Sequence, residues 1–382
     1  MKGLKIIFFH LLVFGLVIAC AHGVAGSFPL SYGSIGTRDG YQYWAALQAL
    51  LGGKNPFDPS NLIPVDRGSG YQNAQLPMMR NPPWTAVFMM PWMLGTFSEA
   101  IWSWRFVQLL LVVYIWWALT PRTAGIAQRL SGALLLLCFY PIADSYHSGQ
   151  LGLLLALAVA LFLRWSGEKE QPRDVLFISI LLIKPHLFLP VFSYVLSKGR
   201  WRTLVFSLVL NVSVCVAIFG SQSIYDWVQS MFNPVHPELR TSLADFRSDT
   251  LSAWIRELLF NSGHGRGDYL IGVFSLTSLV TGWIVARRSR GFDMDGPLLI
   301  VMSLLLAPYG WMSDYAILGP LLLSPRAALA DPNRRVVVIV WALLLSVSLL
   351  LIPAVLSTLT WLMVVFVYGA LSVAPKHSPI QK

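Results

Sequence analysis

Apolar segments separated by short polar breaks run through most of this chain and restrict the folds open to it. Hydrophobic residues fill 55% of its 382 positions and charged residues only 12%, so a water-facing globule would lack polar surface. In lipid, every backbone polar group must be satisfied within the protein, which favours helices over open sheets. The sequence therefore predicts an all-α integral membrane protein, a polytopic helical bundle of about twelve spans.

The predicted crossings and the basic residues agree on one topology. Lys2 and Lys5 precede the first crossing and place the N-terminus in the cytoplasm. Alternation from there leaves the arginine- and lysine-rich breaks on the cytoplasmic side, together with the C-terminus. The net charge of +10 is then explained by the basic residues on the cytoplasmic side of the membrane, and no nucleic-acid partner is predicted. The crossings are residues 6–25, 102–119, 130–143, 151–164, 175–183, 186–196, 203–219, 269–286, 297–307, 314–323, 336–352 and 354–370.

The same alternation puts most of the unusual polar residues on the exoplasmic side of a single membrane domain, residues 1–382. Two larger exoplasmic loops are predicted, 26–81 and 220–268. The Met- and Trp-rich stretch 82–97 is marginal as a crossing, and we expect it to be re-entrant or interfacial.

Two pairs of the apolar segments are short, one pair meeting at Lys184-Pro185 and the other at residues 308–313. At 1.5 Å per residue, about ten residues reach only half of a ~30 Å hydrocarbon core. Non-helical backbone at that depth is tolerated beside protein or a watery cavity. We therefore expect these breaks to border a cavity that opens to the exoplasmic side.

Five motifs occur in one order between residues 30 and 325 and resemble one enzyme family. They are Asp39-x-x-x-Tyr43-Trp44 with Gly52-Gly53-x-Asn55-Pro56-Phe57, then Asn81-Pro82-Pro83, Gly149-Gln150, Ile183-Lys184-Pro185 and Ala307-Pro308-Tyr309-Gly310-Trp311-x-x-Asp314-Tyr315. The set resembles the bacterial family 87 glycosyltransferases, which use polyprenyl-phosphate sugars and include mycobacterial mannosyltransferases. The resemblance implies the GT-C membrane fold, inversion at the anomeric carbon and no metal cofactor.

Asp39 lies on the first exoplasmic loop, between Arg38 and two tyrosines, Tyr41 and Tyr43. The resemblance implies that this carboxylate is catalytic and deprotonates the acceptor hydroxyl. From the residues alone, Arg38 can keep the carboxylate ionised and the phenols can orient it, and Tyr43 is a candidate for sugar or acceptor binding. The alternative is an N-cap, because an amphipathic helix is predicted at 41–51.

Lys184, His186 and Arg80 are the candidates for binding the donor phosphate. A lysine inside an apolar run needs a reason, since burying an unpaired ammonium is costly. The alternatives are a lysine that snorkels from a helix end, a structural histidine and a solvated loop arginine. The other exoplasmic arginines, Arg240, Arg247 and Arg256, are likewise either phosphate ligands or solvated loop residues.

Two polar breaks supply candidates for sugar or acceptor binding. Residues 144–150 are predicted to form a turn, with His147 and Gln150 facing sugar hydroxyls or simply solvent. In the second break the candidates are Tyr309, Trp311 and Asp314. Members of the family often carry histidine near this position, so a second catalytic role for Asp314 is not implied, and helix capping is the alternative.

Together, these features predict a membrane hexosyltransferase. It moves a hexose, by preference mannose, from a polyprenyl-phosphate donor to a lipid or glycan hydroxyl at the outer face of a bacterial inner membrane. A transporter or flippase for lipid-linked sugars is the alternative, because broken helices around a charged residue also mark transport sites. No metal or cofactor is predicted, and the partners are the donor, the acceptor and the lipid bilayer.

Overall fold

The computed structural model describes residues 38–62, 79–120, 126–137, 139–165, 169–232, 250–252, 255, 268–288 and 292–323. Several predictions fall outside these residues. They are the first crossing, 6–25, the last two, 336–352 and 354–370, much of both large loops, and Arg240, Arg247 and Arg256. All ten candidate site residues lie within the described part of the chain.

Every regular element in the described residues is helical, as predicted, and none of them forms a strand. The α-helices are α1 Arg38–Leu51, α2 Trp84–Met89, α3 Phe97–Leu119, α4 Ile126–Leu137, α5 Tyr140–Ser148, α6 Gly152–Trp165, α7 Pro172–Leu181, α8 Leu189–Ser197, α9 Trp201–Phe219, α10 Gln222–Phe232, α11 Asp268–Arg287, α12 Phe292–Leu305 and α13 Gly319–Leu323. Two 3-10 helices, Pro185–Leu187 and Met312–Leu318, lie at the two predicted breaks.

Three helices in the described residues, α3, α9 and α11, are long and apolar enough to cross a membrane. They correspond to the predicted crossings 102–119, 203–219 and 269–286. Their outer faces carry exposed Phe106, Phe206, Leu276 and other large apolar side chains, which suits contact with acyl chains. The count of twelve crossings stays a prediction, as do the sides on which the loops lie.

One predicted crossing, 130–143, is divided in the structure. Helix α4 ends at Leu137, and α5 begins at Tyr140 with Pro141 in its first turn, a position that proline favours. Residues 144–148, predicted as part of a turn, are the end of α5. The turn itself is short and is made by Gly149, whose φ of +69° suits a glycine that ends a helix.

The stretch 82–97 contains one helix, α2, of six residues. At 1.5 Å per residue it is about 9 Å long, far short of a crossing. Its first residue, Trp84, donates a hydrogen bond from its indole nitrogen to the carbonyl of Leu182 at 3.0 Å. This segment therefore packs against the break that precedes Lys184.

The centre of the fold is α6, which packs against α3, α7 and the 3-10 helix Met312–Leu318. Close approach is possible because α6 begins with a glycine. A Cβ at Gly152 would lie 2.1 Å from the carbonyl oxygen of Ser313. The second broken segment is thereby held against the first turn of α6.

A second close contact joins α8 to α11. Here Gly282 faces the backbone of Pro190, and Ser193 donates a hydrogen bond to the carbonyl of Leu279 at 2.6 Å. Small residues at helix interfaces allow this approach in membrane proteins, where apolar burial alone gives little association energy.

The Gly282→Ala variant should lower the stability of the protein by about 1–3 kcal/mol or more. Its new methyl carbon would lie 2.1 Å from the oxygen of Pro190, so the helices must separate. Gly272→Ala is the matched control on α11, because a Cβ there meets nothing within 4 Å. Thermal unfolding in detergent should show a lower midpoint for Gly282→Ala alone. Equal midpoints for the two variants would contradict this packing.

Candidate functional site

A buried ion pair lies at the centre of the site. The ammonium Nζ of Lys184 is 2.6 Å from Oδ1 of Asp314, and both side chains are at most 4% exposed. The two residues are 130 positions apart in the chain; Lys184 lies in one predicted break, and Asp314 directly follows the other. Lys184 is held at the end of the irregular turn after α7, and Asp314 lies in the first turn of a 3-10 helix. Snorkelling to the surface is therefore wrong for Lys184.

The pair is extended by two amides and a phenol. Lys184 Nζ also donates to Oε1 of Gln150 at 3.2 Å, and the Tyr43 hydroxyl donates to the same oxygen at 3.1 Å. The Asn81 amide donates to the Tyr43 hydroxyl at 3.1 Å. We call these five residues, Tyr43, Asn81, Gln150, Lys184 and Asp314, the polar cluster.

Asp39 lies on the edge of the polar cluster. It is in the first turn of α1, one turn before Tyr43, and is half-buried. Burial raises the pKa of Tyr43 well above its usual value, and the nearby carboxylates of Asp39 and Asp314 raise it further. Tyr43 is therefore a neutral hydrogen-bond donor. Because the described part of α1 begins at Arg38, Asp39 lies inside the helix and not at its N-cap. Its negative charge in the first turn still interacts favourably with the helix dipole.

Two glycines bring the Asp39 helix against the Gln150 turn. A Cβ at Gly149 would lie 2.9 Å from the Cα of Gly40. The turn is fixed from the other side by α3, where the Trp104 indole donates to the Gly149 carbonyl at 3.0 Å. Gln108 donates to the carbonyls of Ser145 and Gln150 at 3.0 and 2.9 Å. The Gly40–Gly149 contact and these hydrogen bonds together set the position of Asp39 relative to Gln150.

The Gly149→Ala variant should lower both stability and activity more than Gly199→Ala does. Both glycines have a positive φ, +69° and +73°, so each substitution carries about 1 kcal/mol of left-handed strain. A Cβ at Gly199 meets nothing within 4 Å, whereas a Cβ at Gly149 meets Gly40. Unfolding midpoints and transfer rates for the two variants check this. Indistinguishable losses would mean that the contact does not position Asp39.

His186 and Tyr309 form a second pair beside the polar cluster. Their rings stack with centroids 4.0 Å apart, and the Tyr309 hydroxyl lies 3.1 Å from Nδ1 of His186. Burial raises the pKa of Tyr309, and Asp314 adds to that shift while Arg80 opposes it. Arg80 and Asp314 therefore both lie within electrostatic range of the Tyr309 hydroxyl. Arg80 itself is half-buried.

The remaining two candidates are Trp311 and His147. Trp311 is 38% exposed at the side chain, and its backbone N–H donates to Oδ2 of Asp314 at 3.0 Å. That bond confirms a capping role for the Asp314 carboxylate alongside the ion pair. His147 is half-buried in the last turn of α5, and the contacts above do not include it.

Three residues that position the site were not among the candidates: Asn81, Trp104 and Gln108. Asn81 belongs to the motif Asn81-Pro82-Pro83, which by itself indicates no role for the side chain. A signal for Gln108 was present, since it is a fully buried amide in the middle of an apolar crossing, where polar residues are rare and functional. Trp104 could not be found in this way, because tryptophans are frequent in this chain, 15 in all.

The site combines carboxylates, which can take a proton from a hydroxyl, with cationic side chains, which can bind an anion. Both oxygens of Asp314 have donors, Lys184 Nζ and the Trp311 N–H. Lys184 has three N–H groups, and the contacts in the described residues use two of them. Among the described residues, the third N–H of Lys184 and the nearby Arg80 guanidinium are cationic groups that suit an anionic ligand.

The comparisons with known proteins agree with the motif pattern. The model of glycosyltransferase family 87 matches residues 80–312, more than half of the chain. This range includes Arg80, Gln150, Lys184, His186 and Tyr309, whereas Asp39 precedes it and Asp314 follows it by two residues. No curated protein and no solved structure matches the chain.

Proposed function

This chain belongs to glycosyltransferase family 87, and from that membership we propose that it moves a hexose from a polyprenyl-phosphate donor to a hydroxyl of a lipid or glycan. Mannose is our first choice of sugar, and the outer face of a bacterial inner membrane is the proposed location. One observation carries the proposal: Asp39 lies within electrostatic range of Tyr43, and Tyr43 and Lys184 both donate to Oε1 of Gln150 in the polar cluster.

In the proposed reaction, the Asp39 carboxylate takes the proton from the acceptor hydroxyl. The oxygen then forms a bond to the anomeric carbon of the sugar, while the bond from that carbon to the phosphate oxygen breaks. The electron pair of that bond leaves with the polyprenyl phosphate. Because attack and departure occur on opposite faces of the sugar, the anomeric configuration inverts.

We assign the base to Asp39, as the motif resemblance implies, rather than to Asp314, because both oxygens of Asp314 are already engaged. Each oxygen of Asp314 already accepts a donor, and one of these donors is an ammonium at 2.6 Å. Because both of its oxygens already accept these hydrogen bonds, Asp314 is poorly placed to take a proton from an acceptor hydroxyl. Asp39 lies at the half-buried edge of the site, where an acceptor hydroxyl can reach it.

Lys184 and Arg80 are the proposed ligands of the donor phosphate. The leaving phosphate gains negative charge as the sugar bond breaks, and fixed cations lower that barrier. Asp314 neutralises part of the Lys184 charge, but it also holds the ammonium in place, so that its third N–H can meet a phosphate oxygen. Membrane anchoring of the donor adds proximity to this arrangement.

We propose that Tyr43, His147, Gln150 and Trp311 contact the sugar or the acceptor. Aromatic rings stack on sugar faces, and the exposed indole of Trp311 suits that role. Neutral donors and acceptors such as Tyr43 and Gln150 select hydroxyl groups by hydrogen bonding. The reaction as written requires no metal ion.

The proposal is tested by reconstituting the purified protein in liposomes that contain polyprenyl-phosphate mannose labelled in the sugar, together with a glycolipid acceptor. We expect label to enter a new glycosidic bond, and EDTA to leave the rate unchanged. Label that crosses the bilayer without a new bond would overturn the proposal in favour of a transporter. Transfer from a nucleotide sugar, but not from the lipid donor, would overturn the donor assignment.

A further inference from the structure

One ring nitrogen of the His186–Tyr309 pair has no role in the proposed function. One nitrogen of His186, Nδ1, faces the Tyr309 hydroxyl at 3.1 Å. The other, Nε2, is buried and has no hydrogen-bond partner among the described residues. A buried polar group without a partner is uncommon and calls for a reason, such as a ligand.

The charge of the ring is fixed by its surroundings. His186 lies in the 3-10 turn Pro185–Leu187, outside the three long apolar helices. Its Nε2 is buried without a partner among the described residues, and the nearby Lys184 side chain already carries a positive charge, so a second proton on the ring would be a costly unpaired cation. The ring is therefore a neutral imidazole, with its single proton on either Nδ1 or Nε2.

Counting donors decides between these two tautomers. If Nδ1 carried the proton and donated it to Tyr309, the phenol proton would lack an acceptor in the described part of the chain, and Nε2 would lack a donor. If Tyr309 donates to Nδ1, the phenol proton and Nδ1 are both satisfied, and only the Nε2–H is left over. The second arrangement leaves fewer buried groups unsatisfied, and each such group is costly.

We propose that Tyr309 holds His186 in the tautomer protonated at Nε2, and that this N–H donates to an oxygen of the donor's phosphate. The inference rests on the proposed function and deepens it by assigning one phosphate ligand. A neutral donor is useful here because it binds the anion without adding another charge beside Lys184. Tyr309 is then a positioning residue rather than a sugar ligand.

Two observations favour a phosphate oxygen over other acceptors. The electrostatic neighbours of the pair include the Lys184 ammonium on the His186 side and, on the Tyr309 side, the Arg80 guanidinium and the Asp314 carboxylate, which is itself paired with Lys184. An anion attracted by these two cations would lie beside the imidazole. Because this nitrogen is buried, we expect a neighbouring group to move aside when the phosphate binds.

The test compares two amides at position 186. Glutamine places its amide N–H close to where Nε2 of histidine lies, whereas asparagine places it nearer to Nδ1. Binding is measured for the full-length protein with polyprenyl phosphate, and with polyprenol, which lacks the phosphate. We expect His186→Asn to weaken polyprenyl-phosphate binding about 10- to 100-fold, as for loss of a hydrogen bond to a charged group. His186→Gln should retain most of the affinity, and polyprenol binding should not change.

Tyr309→Phe adds a second readout. Without the phenol proton, the imidazole is no longer held in one tautomer, and polyprenyl-phosphate binding should weaken in Tyr309→Phe but not further in Tyr309→Phe/His186→Gln. Unfolding midpoints of all variants exclude loss of fold as the cause. Equal affinities of the wild type, His186→Gln and His186→Asn for polyprenyl phosphate would overturn the inference, as would a parallel loss for polyprenol. A wild-type protein that binds polyprenol and polyprenyl phosphate equally would instead count against the proposed donor.

Discussion

Replacing Asp39 by asparagine should lower the rate of sugar transfer by a factor of about 10² to 10⁴, the usual contribution of a general base. The amide is nearly the same size as the carboxylate and preserves most contacts of α1, but it cannot accept the acceptor's proton. The loss should fall on kcat, because the donor phosphate is bound elsewhere in the site. Steady-state kinetics with purified lipid donor and acceptor measure this directly.

Asp226→Asn is the matched control for Asp39→Asn. It makes the same chemical change on α10, where Asp226 accepts a hydrogen bond from Gln222 in an exposed position outside the polar cluster. Its transfer rate should stay within about twofold of the wild type, as for most surface substitutions. Undiminished transfer by a correctly inserted Asp39→Asn protein would remove Asp39 from the mechanism.

The second large effect is expected at the buried ion pair. Lys184→Met leaves the Asp314 carboxylate buried without its counter-ion, and Asp314→Leu does the same to the ammonium. Each single variant should lose about 3–5 kcal/mol of stability. The double variant, Lys184→Met/Asp314→Leu, buries no charge and should regain most of that loss. Unfolding midpoints of the four proteins in one detergent check these values.

Activity separates the structural role of Lys184 from its proposed role at the phosphate. The double variant should be folded but inactive, since the cation beside the leaving group is gone. Lys198→Met is a control at an exposed lysine whose ammonium lies 5.6 Å from the centre of the Tyr194 ring, and it should change neither property appreciably. A stable double variant with wild-type transfer would show that the pair serves folding alone.

The sequence was most informative where a polar residue interrupts an apolar run. Lys184-Pro185 and the segment 308–313 predicted broken helices, and both breaks contain short 3-10 helices. The physical reason is local: proline removes a backbone donor, and a buried lysine needs a partner. The partner itself was not predictable in this way, because Asp314 lies 130 residues from Lys184 and nothing local specifies the pairing.

Tertiary contacts also explain why the predicted turn at residues 144–150 was partly wrong. Residues 144–148 contain Asp, Ser and His, which favour turns, yet they complete α5 because that helix packs against Met312–Leu318 and is anchored by Gln108. The contact between Gly40 and Gly149 likewise has no sequence signature, since each glycine alone is compatible with an ordinary turn. The sequence thus identified most of the polar residues of the site, whereas their mutual positions came from packing.

The most direct measurement is a cryo-EM structure of the Asp39→Asn protein with polyprenyl-phosphate mannose bound, in which slow turnover should trap the donor. We expect a phosphate oxygen within hydrogen-bond distance, about 3 Å, of Lys184 Nζ, and the anomeric carbon between that phosphate and residue 39. A donor phosphate bound outside the polar cluster, or a residue 39 on the same side of the sugar as the phosphate, would contradict it.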